Sequence, residues 1–139
     1  MIEHIVVLGA GAIGSLYAAK LAARHAVTLV ARRDHVDAIA RDGLRVVGRE
    51  ELTRRVRAET EVATIAPGTL VVLTTKVNDC RRAIAPLAGK LRADTVILCV
   101  QNGLHGEELV KAEVGDRCLV LRAITQFGAA RGTGLRLPP

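Results

Sequence analysis

A chain of 139 residues suits one domain that buries about two-thirds of the surface its unfolded form exposes, so disulfide staples are not needed. Half of the residues are hydrophobic, glycine is plentiful and the aromatic side chains are Tyr17 and Phe127 alone, which excludes a disordered tail and an aromatic-rich β-sandwich and points to an alanine- and valine-rich α/β domain. The net charge of +6 could suggest nucleic acid, but the cations are spread along the chain, grouped only at Arg32-Arg33 and Arg54-Arg55-Val56-Arg57, with no aromatic residues between them for base stacking. A solvated basic surface, partly serving an anionic ligand, is expected instead.

Glu3 and His4 precede the first apolar run, which soon reaches glycines, so no signal peptide is expected. No stretch approaches the ~20 apolar residues of a membrane helix. Cys80, Cys99 and Cys118 lie far apart without C-x-x-C pairing. They predict reduced, mostly buried thiols of a cytoplasmic protein and no metal site.

Ile2, Ile5, Val6, Val7 and Leu8 form a β-branched run of the kind that a strand buried on both faces shows. Gly9, Gly11 and Gly14 then fit G-x-G-x-x-G. In that motif the first glycine permits a tight turn, the second lets the backbone approach a pyrophosphate and the third lets the next helix pack on the strand. The helix pattern AIGSLYAAKLAAR runs from Ala12 to about Arg24, with Ile13, Leu16, Tyr17 and Leu21 on one side. N–H groups at its start would face phosphates in the favourable end of the helix dipole. The turn, Gly9-Ala10-Gly11-Ala12-Ile13-Gly14, is therefore expected to bind a dinucleotide.

Ala26 to Val30 predicts the second strand, which ends at Ala31-Arg32-Arg33. A site for NAD usually carries an acid here to accept the ribose 2′-hydroxyl, whereas arginine pairs with the 2′-phosphate of NADP. Arg32 therefore favours NADP, and Asp34 is expected to cap a helix over roughly His35 to Arg41. After Asp42-Gly43, two short alternating runs, Leu44 to Val47 and Leu52 to Val56, predict a half-exposed ribbon around Gly48. Thr69 to Thr74 reads as the next buried strand, delivering Thr75, Lys76, Val77 and Asn78 to its carboxyl end.

A helical segment from about Asp79 to Leu91, bent at Pro86, leads to the strand Thr95 to Val100, which ends in Gln101-Asn102-Gly103. A helix over about His105 to Ala112, the strand Cys118 to Leu121 and a short edge strand at Leu135-Arg136-Leu137 complete the chain. The alternation predicts a doubly wound, mainly parallel sheet, a single Rossmann-like domain over residues 1–139 that binds ligands outside the carboxyl ends of its strands. Gly9 to Gly14, Thr75-Lys76 and Gln101-Asn102 all fall there.

With these pieces assembled, the chain resembles the N-terminal domain of the ketopantoate reductase (2-dehydropantoate 2-reductase) family over nearly its whole length. The matching residues are GAGAIGS after the first strand, Arg32 after the second, TTK ending at Lys76, QNGLHGEE from Gln101, and AITQFGAARGTG near the end. The resemblance implies NADPH-dependent reduction of an α-keto acid's ketone, with ketopantoate to pantoate as the type reaction. It implies that Gly9 to Gly14 hold the pyrophosphate, Arg32 the 2′-phosphate, and Lys76 and Asn102 the nicotinamide-side ribose, with Asn102 also donating to the substrate. The bland alternatives are a turn residue for Asn102 and a solvated lysine for Lys76.

Family members are about twice as long and carry a helical C-terminal domain that supplies the proton-donating lysine and much of the substrate pocket. These residues lack that part, so no catalytic residue is assigned among them, and a cofactor-binding half that turns over poorly alone is expected. His4, His25 and His35 read as surface residues, and only His105, near the cofactor edge, is a candidate acid. Apolar surface left uncovered near the last strand predicts a homo-oligomer. Two competing functions are a stand-alone dinucleotide-sensing module without catalysis and a methyltransferase using S-adenosylmethionine; for both, an acid would be expected where Arg32 stands.

Overall fold

The first strand, β1 (His4–Leu8), is central to the main sheet because every one of its apolar side chains finds a buried environment on one face or the other. The structure, a computed structural model, describes residues 2–47, 51–100, 105–123 and 135–136. β1 pairs in parallel with β2 (Ala26–Val30) on one side and β6 (Thr69–Leu73) on the other. Beyond β2 lies β5 (Arg57–Glu59), and beyond β6 lie β7 (Val96–Cys99) and β8 (Leu119–Arg122), all parallel. Taken in chain order within this sheet the arrangement is 3-2-1-4-5-6, the doubly wound order expected of a Rossmann-like domain.

Side-chain alternation divides the core into two layers. Val6 and Leu8 of β1, with Val71, Leu73, Ile97 and Cys99, face α3 (Cys80–Ile84) and α4 (Gly106–Val114) through Cys80, Ile84, Val110 and Val114. Ile5 and Val7, with Val27 and Leu29, face α1 (Ala12–Leu21) and α2 (Arg33–Asp42) through Leu16, Ala18, Ala19 and Ile39. The buried polar side chains among the described residues belong to Ser15, Thr28, Thr69 and Thr95, and each is hydrogen-bonded: to Ala10 O, His4 Nε2, Ala66 O and the Arg92 N–H respectively.

The expected ribbon is present as β3 (Leu44–Val47) antiparallel to β4 (Leu52–Arg54), and β9 (Leu135–Arg136) adds to β3 in parallel. This second sheet lies against α1. The helix therefore has partners on two sides, which explains its run of small apolar residues with Lys20 as the one charged exception.

Several boundaries differ from expectation. α1 ends at Leu21 rather than Arg24, because the N–H groups of Ala23 and Arg24 bond three residues back, to Lys20 O and Leu21 O, tightening the chain before β2. β5, with its alternating charges, was not anticipated; its apolar content is too low for a pattern, and its parallel pairing with β2 defines it. The segment bent at Pro86 is a short 3₁₀ turn (Val77–Asp79), α3, and a second 3₁₀ stretch (Ala85–Lys90) with proline at its start. Leu119 and Leu121 of β8 are the exposed large apolar side chains among the described residues.

The three cysteines are free thiols. Burial pushes Cys99 up to about 11, with the neighbouring Cys80 and Glu107 raising it further and Lys111 opposing them. Burial also raises Cys118, which is only partly covered. Because the thiolate is the reactive form, an aromatic disulfide reagent at pH 8 should label Cys118 first in the native protein, and Cys80 and Cys99 only after unfolding in urea. Labelling of Cys99 as fast as Cys118 without denaturant would contradict this packing.

Candidate functional site

The chain leaves β1 through a turn whose glycines have three different physical roles. Gly9 adopts φ +108°, a conformation that L side chains rarely take, and a Cβ there would come within 2.9 Å of Thr74 Oγ1. Gly14 is buried, and a Cβ on it would overlap the carbonyl oxygen of Gly9. That contact sets how closely α1 sits on the end of β1. Gly11 is the N-cap of α1, with ordinary φ of −70°, and a Cβ there would meet nothing within 4 Å. Space is thus kept open in front of Gly11, where a ligand could approach the backbone.

That open space belongs to a cleft of about 1100 Å³ at the carboxyl ends of β1, β2 and β6. Gly9, Ala10, Gly11, Ala12, Ile13, Arg32, Thr75 and Lys76 all line it, as the sequence suggested. Gly14 does not; it acts from behind the wall, by letting α1 close on the turn. Asn102, with Gln101 and Gly103, lies outside the described residues.

Arg32 sits at the end of β2 as the N-cap of α2. The expected Asp34 cap is corrected here. α2 starts at Arg33, because Arg32 is the last extended residue, with ψ of 157°. Asp34 falls inside the first turn, where its carboxylate complements the helix dipole but makes no capping bond. Arg33 pairs loosely with Asp37 at 3.8 Å on the helix surface. Arg32, Lys76 and Arg82 line the cleft, and their side chains form no hydrogen bond or ion pair with any described residue. With Arg33 they give the cleft four cations against the carboxylates of Glu61 and Asp79, an excess that favours an anionic occupant.

The far wall was not legible in the sequence. Thr60, Glu61 and Val62 are carried there by β5, whose end is tied to the start of α2's lead-in by the Ala31 N–H donating to Glu59 O at 2.9 Å. Arg82, Ala83, Pro86 and Leu87 come from α3 and the 3₁₀ stretch after it. In the sequence Thr74 is the last residue of a strand pattern and the first of TTK, with no role of its own, yet its hydroxyl lies 2.8 Å from Gly9 O and 3.0 Å from Leu8 O. A terminal strand threonine carries no distinguishing signal without knowledge of what it faces. His105 is the N-cap of α4, with a side chain 71% exposed and 3.3 Å from Glu108; it is not among the described residues lining the cleft.

With this geometry in view, similarity to known proteins can be placed on the molecule. A family model described as ketopantoate reductase PanE/ApbA matches residues 5–136. The chain belongs to the ketopantoate reductase family. A protein named 2-dehydropantoate 2-reductase from Pyrococcus horikoshii is 36% identical over 96% of this chain and 46% of its own length. A crystal structure of a PanE/ApbA family ketopantoate reductase from Ralstonia eutropha superposes with a TM-score of 0.88 at 26% identity, covering 98% of this chain and 46% of that one. A probable 2-dehydropantoate 2-reductase from Bacillus subtilis gives 0.83 at 27% identity, over 96% and 46%. The chain thus spans about half the length of the ketopantoate reductases it matches.

The glycines give a pair of contrasting expectations. Gly11→Ala should change stability by less than about 1 kcal/mol, since its backbone is unstrained and its Cβ position is open, but should abolish measurable dinucleotide binding by filling the approach. Gly14→Ala should cost roughly 1–3 kcal/mol by forcing α1 off the turn. Thermal melts beside nucleotide titrations check both, and a Gly14→Ala protein as stable as the parent would refute the close contact.

Proposed function

We propose that this chain is the NADPH-binding part of an oxidoreductase that reduces the ketone of a small α-keto acid, 2-dehydropantoate being the substrate that its family membership favours. The observation that carries this reading is Arg32: a guanidinium without a partner among the described residues, at the end of β2 and the N-terminus of α2, in one cleft with the open glycine turn. Its planar fork suits a phosphate, and α2's first N–H groups add positive potential at the same place. An acid here would instead accept a ribose 2′-hydroxyl and repel the 2′-phosphate.

The residues divide the work by position. Gly9 to Ile13 offer backbone to the diphosphate, Arg32 takes the 2′-phosphate, and Thr75 with Lys76, delivered by β6, orients the nicotinamide-side ribose. Asn102 completes that end in this proposal and also donates to the substrate. Bound there, the reduced nicotinamide supplies hydride. Fixing hydride donor and acceptor in one geometry is the part of catalysis that such a rigid frame provides. The ketone also needs a proton. No side chain of these 139 residues is assigned to donate it, and His105, exposed and paired with Glu108, is a poor candidate.

NADPH should therefore bind this chain more tightly than NADH. Arg32→Ala should weaken NADPH about 10- to 100-fold, the scale of a lost charged hydrogen-bond pair, while leaving NADH nearly unchanged. Fluorescence titration of the reduced nicotinamide measures both; equal losses, or a parent preference for NADH, would overturn the NADPH assignment and favour a sensing module. With 2-dehydropantoate added, the 139-residue chain should consume NADPH only slowly at 340 nm, and rapid turnover would show that it contains its own proton donor.

A further inference from the structure

Each carbonyl around the glycine turn is held by an identified donor. Leu8 O accepts the Thr74 N–H at 3.0 Å, Gly11 O accepts the Ser15 N–H at 3.0 Å, and Ala10 O accepts the Ser15 hydroxyl at 3.2 Å. The Thr74 hydroxyl is shared between Gly9 O and Leu8 O and is nearer to Gly9 O, at 2.8 Å. A trans peptide unit is planar, with its N–H opposed to its C=O, and no peptide bond among the described residues is cis. Drawing the oxygens of Gly9, Ala10 and Gly11 toward Thr74 and Ser15 therefore turns the N–H groups of Ala10, Gly11 and Ala12 the other way. Those N–H groups donate to no described residue, and all three residues line the cleft.

We infer that the hydroxyls of Thr74 and Ser15 are positioning groups for dinucleotide binding, holding back the carbonyls of Gly9 and Ala10 so that the turn presents N–H groups, rather than carbonyl oxygens, to a diphosphate. The inference rests on the dinucleotide site proposed above and adds the two side chains that aim it. A device of this kind is needed because Gly9 and Gly11 are conformationally free. Rotation of either flanking peptide unit would turn a negative oxygen toward the ligand. Thr74 has a second effect: it fixes the turn to the end of β6, two residues before Lys76, so the diphosphate donors and the lysine share one frame.

The test uses Thr74→Val, which keeps the shape and removes the hydroxyl, Thr74→Ser, which restores it, and Ser15→Ala. Three ligands separate the roles: NADPH, ADP-ribose, which has the diphosphate but no 2′-phosphate, and adenosine 2′-monophosphate, which has the 2′-phosphate but no diphosphate. Thr74→Val should weaken NADPH and ADP-ribose by about tenfold, with adenosine 2′-monophosphate within about twofold of the parent and Thr74→Ser recovering most of the loss. Ser15→Ala should act in the same direction by roughly threefold, its bond being longer. Unchanged ADP-ribose binding in both Thr74→Val and Ser15→Ala overturns the inference, as does equal weakening of all three ligands together with a lower melting temperature. If the parent binds ADP-ribose but does not prefer NADPH to NADH, the Arg32 assignment fails while these arms still decide the hydroxyls. If it binds neither dinucleotide nor ADP-ribose, both proposals fail.

Discussion

The approach of α1 to the end of β1 is the constraint on which the site depends. Gly14 sits against the carbonyl oxygen of Gly9 with no room for a methyl group, and the Thr74 hydroxyl reaches the same oxygen from β6. Three elements thus meet at one carbonyl, at the point where the strand order reverses between β1 and β6. A doubly wound sheet leaves a crevice at such a point, because the crossovers on either side of it run to opposite faces. Here the crevice is opened by topology and given its chemical character by a backbone that cannot move far.

Charge follows the same division between fold and site. The ion pairs among the described residues lie at the protein surface, as in Arg45 with Glu51 and Arg41 with Asp42, where each contributes little. The cleft cations Arg32, Lys76 and Arg82 have no such partner among the described residues. Cations gathered at one concave place repel one another, so their arrangement does not serve the stability of the empty protein. It makes sense as a field for an anion, which also accounts for part of the net charge of +6.

The small sheet of β3, β4 and β9 gives α1 its second apolar neighbour. A helix at the surface of an α/β fold would normally carry one polar face. α1 instead packs through alanines and glycine on one side and is covered on another, which immobilises the element whose N-terminus faces the cleft. Rigidity there matters because donors fixed before a ligand arrives lose less freedom on binding it.

By itself the sequence determined the features that depend on local chemistry. The β-branched runs of β1, β2, β6 and β7 identify buried parallel strands, the glycine spacing identifies the turn, and an arginine rather than an acid after β2 is the basis of the proposed 2′-phosphate contact. Each is legible because the physical requirement and the residue that answers it lie within a few positions of one another, although the phosphate contact of the arginine belongs to the proposed function. Tertiary structure alone decided the rest. β5 exists because β2 offers it an edge, Arg32 became the cap of α2 because extended backbone ends two residues earlier than the Asp34 signal implied, and Arg82 entered the cleft through the path of α3. Thr74 is the sharpest case: 65 residues separate it from Gly9, and only the parallel pairing of β1 with β6 turns an ordinary strand-end threonine into the group that holds the turn.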